Sequence, residues 1–259
     1  DRAITILRER VSELDALVAL NEYYAGFMAG YLDVDRDRIH VIRPGVDWES
    51  YGVQNNTTTA GGSIDSGFGA TSAAGVSHSN SKAAGRPRAI AFLGRLCPEK
   101  GLHLLAEAWL QLIDDPQFGD VRLVAAGYLD RGDRKYFQRI VNRIAAEGKV
   151  DRFEYLGQID HAAKIGLLQS AEVVCLPSLY AESKGLPALE AWAAGAPVVL
   201  PDRGAFGEMV RETGGGLLYE RDDPAEILVP IIRLLAEPEA ARAMGEAGRL
   251  AVREHFGLQ

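Results

Sequence analysis

Two glutamates, Glu182 and Glu190, are separated by seven residues that include a Gly-Leu-Pro step, with apolar sequence on either side. Proline is favoured in the first turn of a helix, so Pro187 predicts that a helix begins there. The amides of Gly185 and Leu186 would then be unpaired donors at the positive end of this helix, where anions bind. We expect Glu182 on the loop before the helix and Glu190 about one turn inside it. The pattern is typical of a ligand site.

A second loop, predicted to follow a buried strand, carries Gly94, Arg95 and Lys100. Arginine offers a bidentate fork and lysine a point charge, and the two together suit a diphosphate. Taken alone, both cations could simply solvate an ordinary loop. In the predicted fold, however, this loop and the two glutamates lie at the same edge of the sheet, and this coincidence favours a binding site.

The composition of the chain limits what it can bind. The 259 residues carry a formal net charge of −8, which argues against a general nucleic-acid surface. Cys97 and Cys175 are the two cysteines, and their spacing matches neither a zinc site nor a disulfide framework, which favours a reducing compartment. The sequence contains no apolar run of the roughly 18 residues that a membrane span needs. We therefore expect a cytoplasmic protein.

Strand and helix patterns alternate from residue 88 onward. This alternation predicts an α/β fold with a doubly wound parallel sheet, in which ligands bind beyond the carboxyl ends of the strands. The predicted strands cover residues 89–93, 121–126, 153–156, 173–176, 197–200 and 216–219. The predicted helices cover residues 101–113, 133–147, 161–170, a stretch after 187, a stretch after 222, and 238–254.

The chain before residue 88 differs in composition. Residues 1–52 have a helix–strand–helix–strand pattern that is too short for a full α/β domain, so we expect part of a second α/β domain there. Residues 53–87 are rich in Gly, Ser, Ala, Thr and Asn and predict a flexible linker or insertion. Residues 88–259 then form the main domain.

These residues together resemble the donor-binding half of the retaining family 4 glycosyltransferases, which have the GT-B fold with Rossmann-like domains. The resemblance covers about residues 88–254 in order and spacing. Residues 1–52 are similar to the end of the acceptor domain of that family. The similar segments are Gly94-Arg95…Lys100-Gly101, Glu182-x7-Glu190 with the following Ala-Trp-Ala-Ala-Gly-Ala-Pro-Val-Val, Gly204-Ala-Phe-Gly-Glu208 and Pro44-Gly45-Val46-Asp47.

The resemblance implies a diphosphate site. Arg95 and Lys100, on the loop that starts at Gly94, would hold the diphosphate of a nucleotide sugar, and the amides of Gly185 and Leu186 would reach its phosphates. Breaking the bond between sugar and diphosphate develops negative charge on the leaving group, and one preorganised donor stabilises such charge by about 3–4 kcal/mol. We therefore expect neither a metal ion nor a cofactor.

The resemblance also separates the two glutamates by role. Glu182 would contact the transferred sugar, orient it and favour the positive charge of an oxocarbenium-like carbon, which makes it the catalytic candidate. Glu190 would accept the hydroxyl hydrogens of the ribose. The expected substrate is therefore a UDP-, GDP- or ADP-linked sugar. The acceptor would be a glycan, a lipid or a small molecule.

Two alternatives to a hexosyl or related transferase stay open. One is a nucleotide-binding or interaction module without catalysis, and the other is a sugar-nucleotide epimerase, which would need its own catalytic acids and a histidine. Compared with the family, most of an acceptor domain and a terminal helix lie outside this sequence. We therefore expect the segment to bind nucleotide but to transfer sugar poorly or not at all. Attachment of the full-length protein to the cytoplasmic face of a membrane also stays open.

Other candidate residues carry weaker signals. Glu208 is predicted at the start of a short helix, and the resemblance suggests a role in the wall of the donor site. Trp192 and Phe206 are expected in the core and not as platforms for a base. The segment Asp33-Val-Asp35 has the spacing of a metal motif from a different glycosyltransferase fold, but it lies between a predicted helix and strand, so we expect a solvated turn.

Overall fold

The structure is a computed structural model that describes residues 2–52 and 88–257 of the chain. We call residues 2–52 the N-terminal unit and residues 88–257 the C-terminal unit. The predicted linker of residues 53–87 lies outside the described residues. The division of the chain into two domains and a linker therefore stays a prediction.

The C-terminal unit contains a six-stranded sheet in which every pair of neighbours is parallel. The central strands Val173–Cys175 and Val198–Pro201 are short runs of Val, Leu, Cys and Pro that are buried on both faces, as parallel sheets covered by helices require. Its strands are β3 (Ala89–Leu93), β4 (Arg122–Ala126), β5 (Phe153–Tyr155), β6 (Val173–Cys175), β7 (Val198–Pro201) and β8 (Gly216–Tyr219).

The strand order is β5-β4-β3-β6-β7-β8. The chain runs from β3 outward to β5 and then returns to β6 on the other side of β3, so that Ile90 of β3 lies opposite both Leu123 of β4 and Val173 of β6. The direction of winding therefore reverses between β3 and β6. In open α/β sheets the crevice beyond the carboxyl ends of two such strands is the usual place for a ligand.

Helices cover both faces of this sheet. They are α3 (Leu102–Ile113), α4 (Arg134–Ala146), α5 (His161–Ser170), α6 (Leu186–Ala193), α7 (Gly204–Thr213), α8 (Pro224–Ala236) and α9 (Pro238–His255). One buried cluster joins α3, α4 and α8 to the first face and includes Trp109, while another joins α5, α6, α7 and the end of α9 to the second face. Trp192 and Phe206 lie fully buried in the second cluster, which confirms their predicted place in the core.

The N-terminal unit is a small βαβ arrangement preceded by a helix. Its two strands are parallel, with Val18 opposite His40. Asn21 caps the intervening helix, because its Oδ1 accepts a hydrogen bond from Tyr24 N at 2.9 Å. The elements are α1 (Arg2–Arg10), β1 (Leu17–Ala19), α2 (Glu22–Leu32) and β2 (Ile39–Val41), with short helical turns over Val11–Glu13, Arg36–Arg38 and Trp48–Tyr51.

The predicted elements agree with the observed ones to within a few residues, and α5 and β8 coincide with their predictions. One helix start is different. α7 begins at Gly204, so Glu208 lies about one turn inside the helix and not at its start. The reason is local: Arg203 is extended, and Gly204, at φ 57°, turns the chain into the helix directly. In residues 2–52 and 88–257, no helix has both the length and the apolar character that crossing a bilayer demands.

Candidate functional site

The loops that follow β3 and β6 meet at the point where the winding reverses. Leu179 N, on the loop after β6, donates a hydrogen bond to Glu99 O, on the loop after β3, at 2.8 Å. Next to this contact, Lys100 Nζ forms an ion pair with Glu182 Oε1. The structure therefore brings together one cation and one carboxylate that the sequence analysis had identified separately.

Three side chains converge on one oxygen of Glu182. Besides Lys100, the hydroxyls of Tyr180 and Ser178 donate to Oε1, at 2.8 and 3.2 Å. Glu182 itself is only 9% exposed. Oε2 receives no hydrogen bond from any residue that the structure describes, so one oxygen of this carboxylate is held while the other can accept a hydrogen bond from a ligand.

Lys100 stays protonated in this half-buried position. Burial by itself lowers the pKa of Lys100, but the hydrogen bonds with Glu182 and Tyr180 and the negative charge of Glu182 outweigh it, so the pKa lies above the usual value for lysine. Its ammonium also lies 4.8 Å from the centroid of the Tyr180 ring, a favourable cation–π distance. A charged ammonium is thus present beside Glu182 at neutral pH.

The start of α6 has the predicted form. Gly185 precedes the helix with a φ of 64°, and a Cβ on this residue would lie 2.5 Å from Met209 Sδ, so a larger residue would be both strained and crowded. Pro187 is the second residue of the helix. Among the described residues, the amides of Gly185 and Leu186 donate no hydrogen bond. They remain donors that an anion can use.

Glu190 lies one turn inside α6, as predicted, and is paired with a residue that the sequence analysis missed. Lys164 of α5 donates from Nζ to Glu190 Oε1 at 2.5 Å. Among the described residues, the buried hydroxyl of Tyr51 has no hydrogen-bond partner. Burial first and then the negative charge of Glu190 raise the pKa of Tyr51. No spacing in the sequence connects Glu190 with Lys164 or Tyr51, because they lie on separate elements.

Arg95 lies exposed on the loop after β3. In the described part of the chain it forms no ion pair, and its Nη2 lies 3.7 Å from the Sγ of Cys97. Gly94 fixes the start of this loop, since its N–H donates to Ala126 O at 3.0 Å. The structure thus places Arg95 and Gly94 on the same loop as Lys100, without direct contact between Arg95 and either glutamate. The Arg95 guanidinium is free to bind an anion.

Glu208 lies at the contact with the N-terminal unit. Its two carboxylate oxygens accept hydrogen bonds from the backbone N–H groups of Glu22 and Tyr23, at 3.1 and 2.9 Å. These groups are at the positive end of α2, where a carboxylate is stabilised. The suggested role of Glu208 in the wall of the donor site stays a prediction, while the observed role is that of a link between the two units.

The Asp33-Val-Asp35 segment forms an exposed turn at the end of α2, as expected, with Asp33 in the left-handed conformation. Considering only residues 2–52 and 88–257, no three His, Cys, Asp or Glu side chains are grouped so that they could hold a metal ion.

Comparison with known proteins agrees with this arrangement. The sequence profile of the family described as "Glycosyl transferases group 1" matches residues 76–251. The phosphatidyl-myo-inositol mannosyltransferase of Mycobacterium leprae is 35% identical over 176 residues, which are 66% of this chain and 44% of that protein. The D-inositol 3-phosphate glycosyltransferase of Segniliparus rotundus is 30% identical over 247 residues, which are 92% of this chain and 48% of that protein.

Solved structures show the same fold. The structure of Anabaena Alr3699/HepE in complex with UDP superposes with a TM-score of 0.76 at 19% identity, over 98% of this chain and 64% of that one. This chain spans about half the length of the curated relatives described above. The family profile covers more than half of the chain, and the sheet, the strand order and the flanking helices are those of GT-B glycosyltransferases. The chain belongs to the family of glycosyl transferases group 1.

Proposed function

We propose that this chain forms the donor side of a retaining glycosyltransferase that uses a nucleoside-diphosphate sugar and needs no metal ion. The observation that carries the proposal is the pairing of Lys100 with Glu182 where the winding of the sheet reverses. This pairing puts a cation for a phosphate and a carboxylate for a sugar in contact. Helix α6 begins a few residues after Glu182. The amides of Gly185 and Leu186 at its start donate no hydrogen bond to the described residues.

The leaving group would be bound by positive charge from three sources. Arg95 has no ion-pair partner among the described residues and would form a bidentate pair with a phosphate. Lys100 carries three N–H donors, so it can keep its bond to Glu182 and still bind a phosphate oxygen. The two free amides add the field of the α6 N-terminus. Together these groups stabilise the charge that develops on the departing diphosphate, which is the role that a divalent cation has in other transferases.

The sugar would be held from the side of Glu182. Because Oε1 is occupied by Lys100, Tyr180 and Ser178, the open Oε2 is the atom that would accept a sugar hydroxyl. A carboxylate held in this way also favours positive charge on the anomeric carbon as its bond to the diphosphate breaks. A fixed carboxylate needs little reorganisation during the reaction, which is the main advantage of a preorganised site.

The nucleoside would be recognised one turn further along α6. Glu190 would accept the hydroxyl hydrogens of the ribose, and Lys164, its partner in this structure, would lie beside the same hydroxyls. The relatives support a nucleotide donor: the Anabaena protein with the same fold has been solved with UDP and with UDP-glucose.

Isothermal titration calorimetry with the 259-residue chain tests the proposal. The ligands are UDP, GDP and ADP and the conjugates UDP-glucose, GDP-mannose and ADP-glucose. We expect at least one nucleoside diphosphate to bind together with its sugar conjugate. The double variant Arg95→Ala/Glu190→Ala should bind these two ligands at least about 100-fold more weakly, because two charge-assisted contacts are lost. Arg242→Ala/Glu239→Ala, which changes two exposed residues at the start of α9, is the matched control.

Two outcomes would contradict the proposal. No binding of any of the six ligands would refute a nucleotide-sugar site, and undiminished binding by Arg95→Ala/Glu190→Ala would refute its location. The second candidate function, a nucleotide-binding module without catalysis, is separated by a transfer assay on the full-length protein. Binding without hydrolysis of the donor or transfer from it would favour the module.

A further inference from the structure

The N-terminal unit reaches the backbone on both sides of Glu182. Asn21 Nδ2 donates a hydrogen bond to Ser183 O at 2.7 Å, and the hydroxyl of Tyr24 donates to Ala181 O at 2.5 Å. The two acceptors are the carbonyls of the residues immediately before and after Glu182. Both donors belong to the first turn of α2 and its cap, more than 150 residues away in sequence.

We propose that Asn21 and Tyr24, which we call the α2 clamp, are positioning residues that set where the Glu182 carboxylate meets the transferred sugar. The inference rests on the proposed function, since it assigns the clamp to the sugar half of the donor and not to the nucleotide half. Among the described residues, no hydrogen bond of the Asn21 or Tyr24 side chain goes to Arg95, Lys100 or Glu190.

The clamp is rigid because its donors are held in place. Asn21 is 4% exposed, and its Oδ1 accepts a hydrogen bond from Tyr24 N, so its amide cannot turn without losing the helix cap. The next two backbone N–H groups, of Glu22 and Tyr23, donate to Glu208 of the C-terminal unit. The cap and first turn of α2 are therefore fixed to the C-terminal unit at four consecutive residues, 21 to 24.

The loop that carries Glu182 depends on such support. It lies between β6 and α6 and contains neither helix nor strand, so its backbone is not held by a ladder of hydrogen bonds. Within the C-terminal unit, Ala205 N donates to Glu182 O at 2.8 Å, and Gly204 packs so closely that a Cβ there would lie 2.6 Å from the same oxygen. The clamp adds a bond to the carbonyl on each side of this contact. A carboxylate that binds a substrate must be held to within about 0.5 Å, and such support supplies that precision.

The clamp therefore predicts a separation of effects within the ligand. Glu182 contacts only the sugar in the proposed site, so loosening its loop should weaken the contribution of the sugar to binding. Binding of the nucleoside diphosphate alone should change less, because Arg95, Lys100 and Glu190 lie on other elements than the loop that the clamp holds. Damage to the fold as a whole would weaken the binding of both ligands to the same extent.

The test compares the affinity of a nucleoside diphosphate with that of its sugar conjugate, by calorimetry on the 259-residue chain. The pairs are UDP with UDP-glucose, GDP with GDP-mannose, and ADP with ADP-glucose, and the pair that the wild-type chain binds is used. Asn21→Asp keeps the helix cap, since aspartate caps as well as asparagine, but it turns a carboxylate oxygen toward Ser183 O. Tyr24→Phe removes only the hydroxyl. Tyr23→Phe, the same change at the exposed neighbouring tyrosine, is the control.

We expect the ratio of the two affinities to fall by about 5-fold or more in Asn21→Asp and in Tyr24→Phe, the effect of one lost hydrogen bond, and to stay unchanged in Tyr23→Phe. An unchanged ratio in both clamp variants would overturn the proposal. An equal loss of affinity for both ligands, together with a lower midpoint of thermal unfolding, would also overturn it, because Asn21 and Tyr24 would then only stabilise the fold. If the wild-type chain binds none of the pairs, the proposed function fails and the clamp proposal falls with it.

Discussion

The ion pair between Lys100 and Glu182 joins two residues that are 82 positions apart and lie on the loops after β3 and β6. Lys100 belongs to the loop that the sequence identified by its cations, and Glu182 to the loop that it identified by its carboxylates. The pair therefore connects the two halves of the proposed donor site. Loss of Lys100 would leave the carboxylate of Glu182 without its counter-ion.

Removal of this partner should destabilise the chain. Lys100→Met leaves the largely buried carboxylate of Glu182 without its counter-ion. We expect the free energy of unfolding to fall by about 2 kcal/mol, less than the roughly 3–5 kcal/mol lost when one partner of a fully buried ion pair is removed. Some solvent reaches this pair, since 18% of the lysine and 12% of the glutamate side chain are exposed. Urea denaturation measures the change.

Two further variants make this prediction specific. Lys100→Met/Glu182→Gln also removes the unpaired negative charge, so it should recover most of the lost stability. It should still not bind the nucleotide sugar, because both side chains of the pair are changed. Arg249→Met breaks the exposed pair with Glu246 on α9 and should cost less than about 0.5 kcal/mol. If Lys100→Met were as stable as the wild-type chain, the pair would contribute nothing to the fold.

Glu190 should control discrimination between ribose and deoxyribose. In the proposed site its carboxylate accepts the ribose hydroxyls, so the wild-type chain should prefer UDP to 2′-deoxy-UDP by about 10-fold, the value of one charge-assisted hydrogen bond. Glu190→Ala should bind both weakly and with nearly equal affinity. Calorimetry gives the two constants, with GDP or ADP and their 2′-deoxy forms used in the same way if UDP does not bind.

Glu226→Ala, on the opposite face of the sheet in α8, is the control for this measurement and should keep the preference for ribose. A Glu190→Ala variant that still discriminates about 10-fold would assign the ribose hydroxyls to another residue, of which Lys164 is the nearest candidate.

His103 should make the fold less stable in mild acid. Burial, and then the positive charge of Arg139, lower the pKa of His103 in the folded chain. The unfolded chain, with a pKa of about 6.5, therefore binds a proton more readily, so stability is present above this pH and is lost as the pH falls below it. Thermal unfolding between pH 5 and 7.5 should show this loss in the wild-type chain.

His103→Gln should flatten the pH dependence in this range, because glutamine does not titrate. It can still bond the hydroxyl of Tyr136, which lies 3.0 Å from His103 Nδ1. His40→Gln, at an exposed position of β2, is the control and should leave the curve as it is. Identical curves for His103→Gln and the wild-type chain would contradict the prediction.

Gly248 should be needed where α9 crosses α6. A Cβ at this position would lie 2.3 Å from Cδ1 of the buried Trp192, whose Nε1 donates to Gly215 O at 2.8 Å. We expect Gly248→Ala to lower the free energy of unfolding by about 1–3 kcal/mol, although alanine favours a helix. Urea denaturation measures the loss.

Gly30→Ala is the matched control, because it makes the same change in α2, where a Cβ would meet nothing within 4 Å. This variant should gain about 0.5–1 kcal/mol from its helix propensity. A gain of similar size in both variants would show that α9 can move away from Trp192 without cost.

The amino-acid sequence by itself determined the elements and the motif. Alternation of buried strands with helix patterns predicted the parallel sheet, and Pro187 predicted the start of α6, because proline and hydrophobic period act between near neighbours in the chain. The predicted start of α7 is a turn too late, since the turn at Gly204 depends on how closely the chain packs on Glu182.

Only the tertiary structure decided which charges meet. Lys100 reaches Glu182 because β6 returns beside β3, Lys164 reaches Glu190 because α5 packs on α6, and Glu208 meets α2 because the N-terminal unit docks there. These pairs join residues 26 to 186 positions apart. Their contacts follow from the order of the strands and the packing of the units, which no local period or spacing in the chain records.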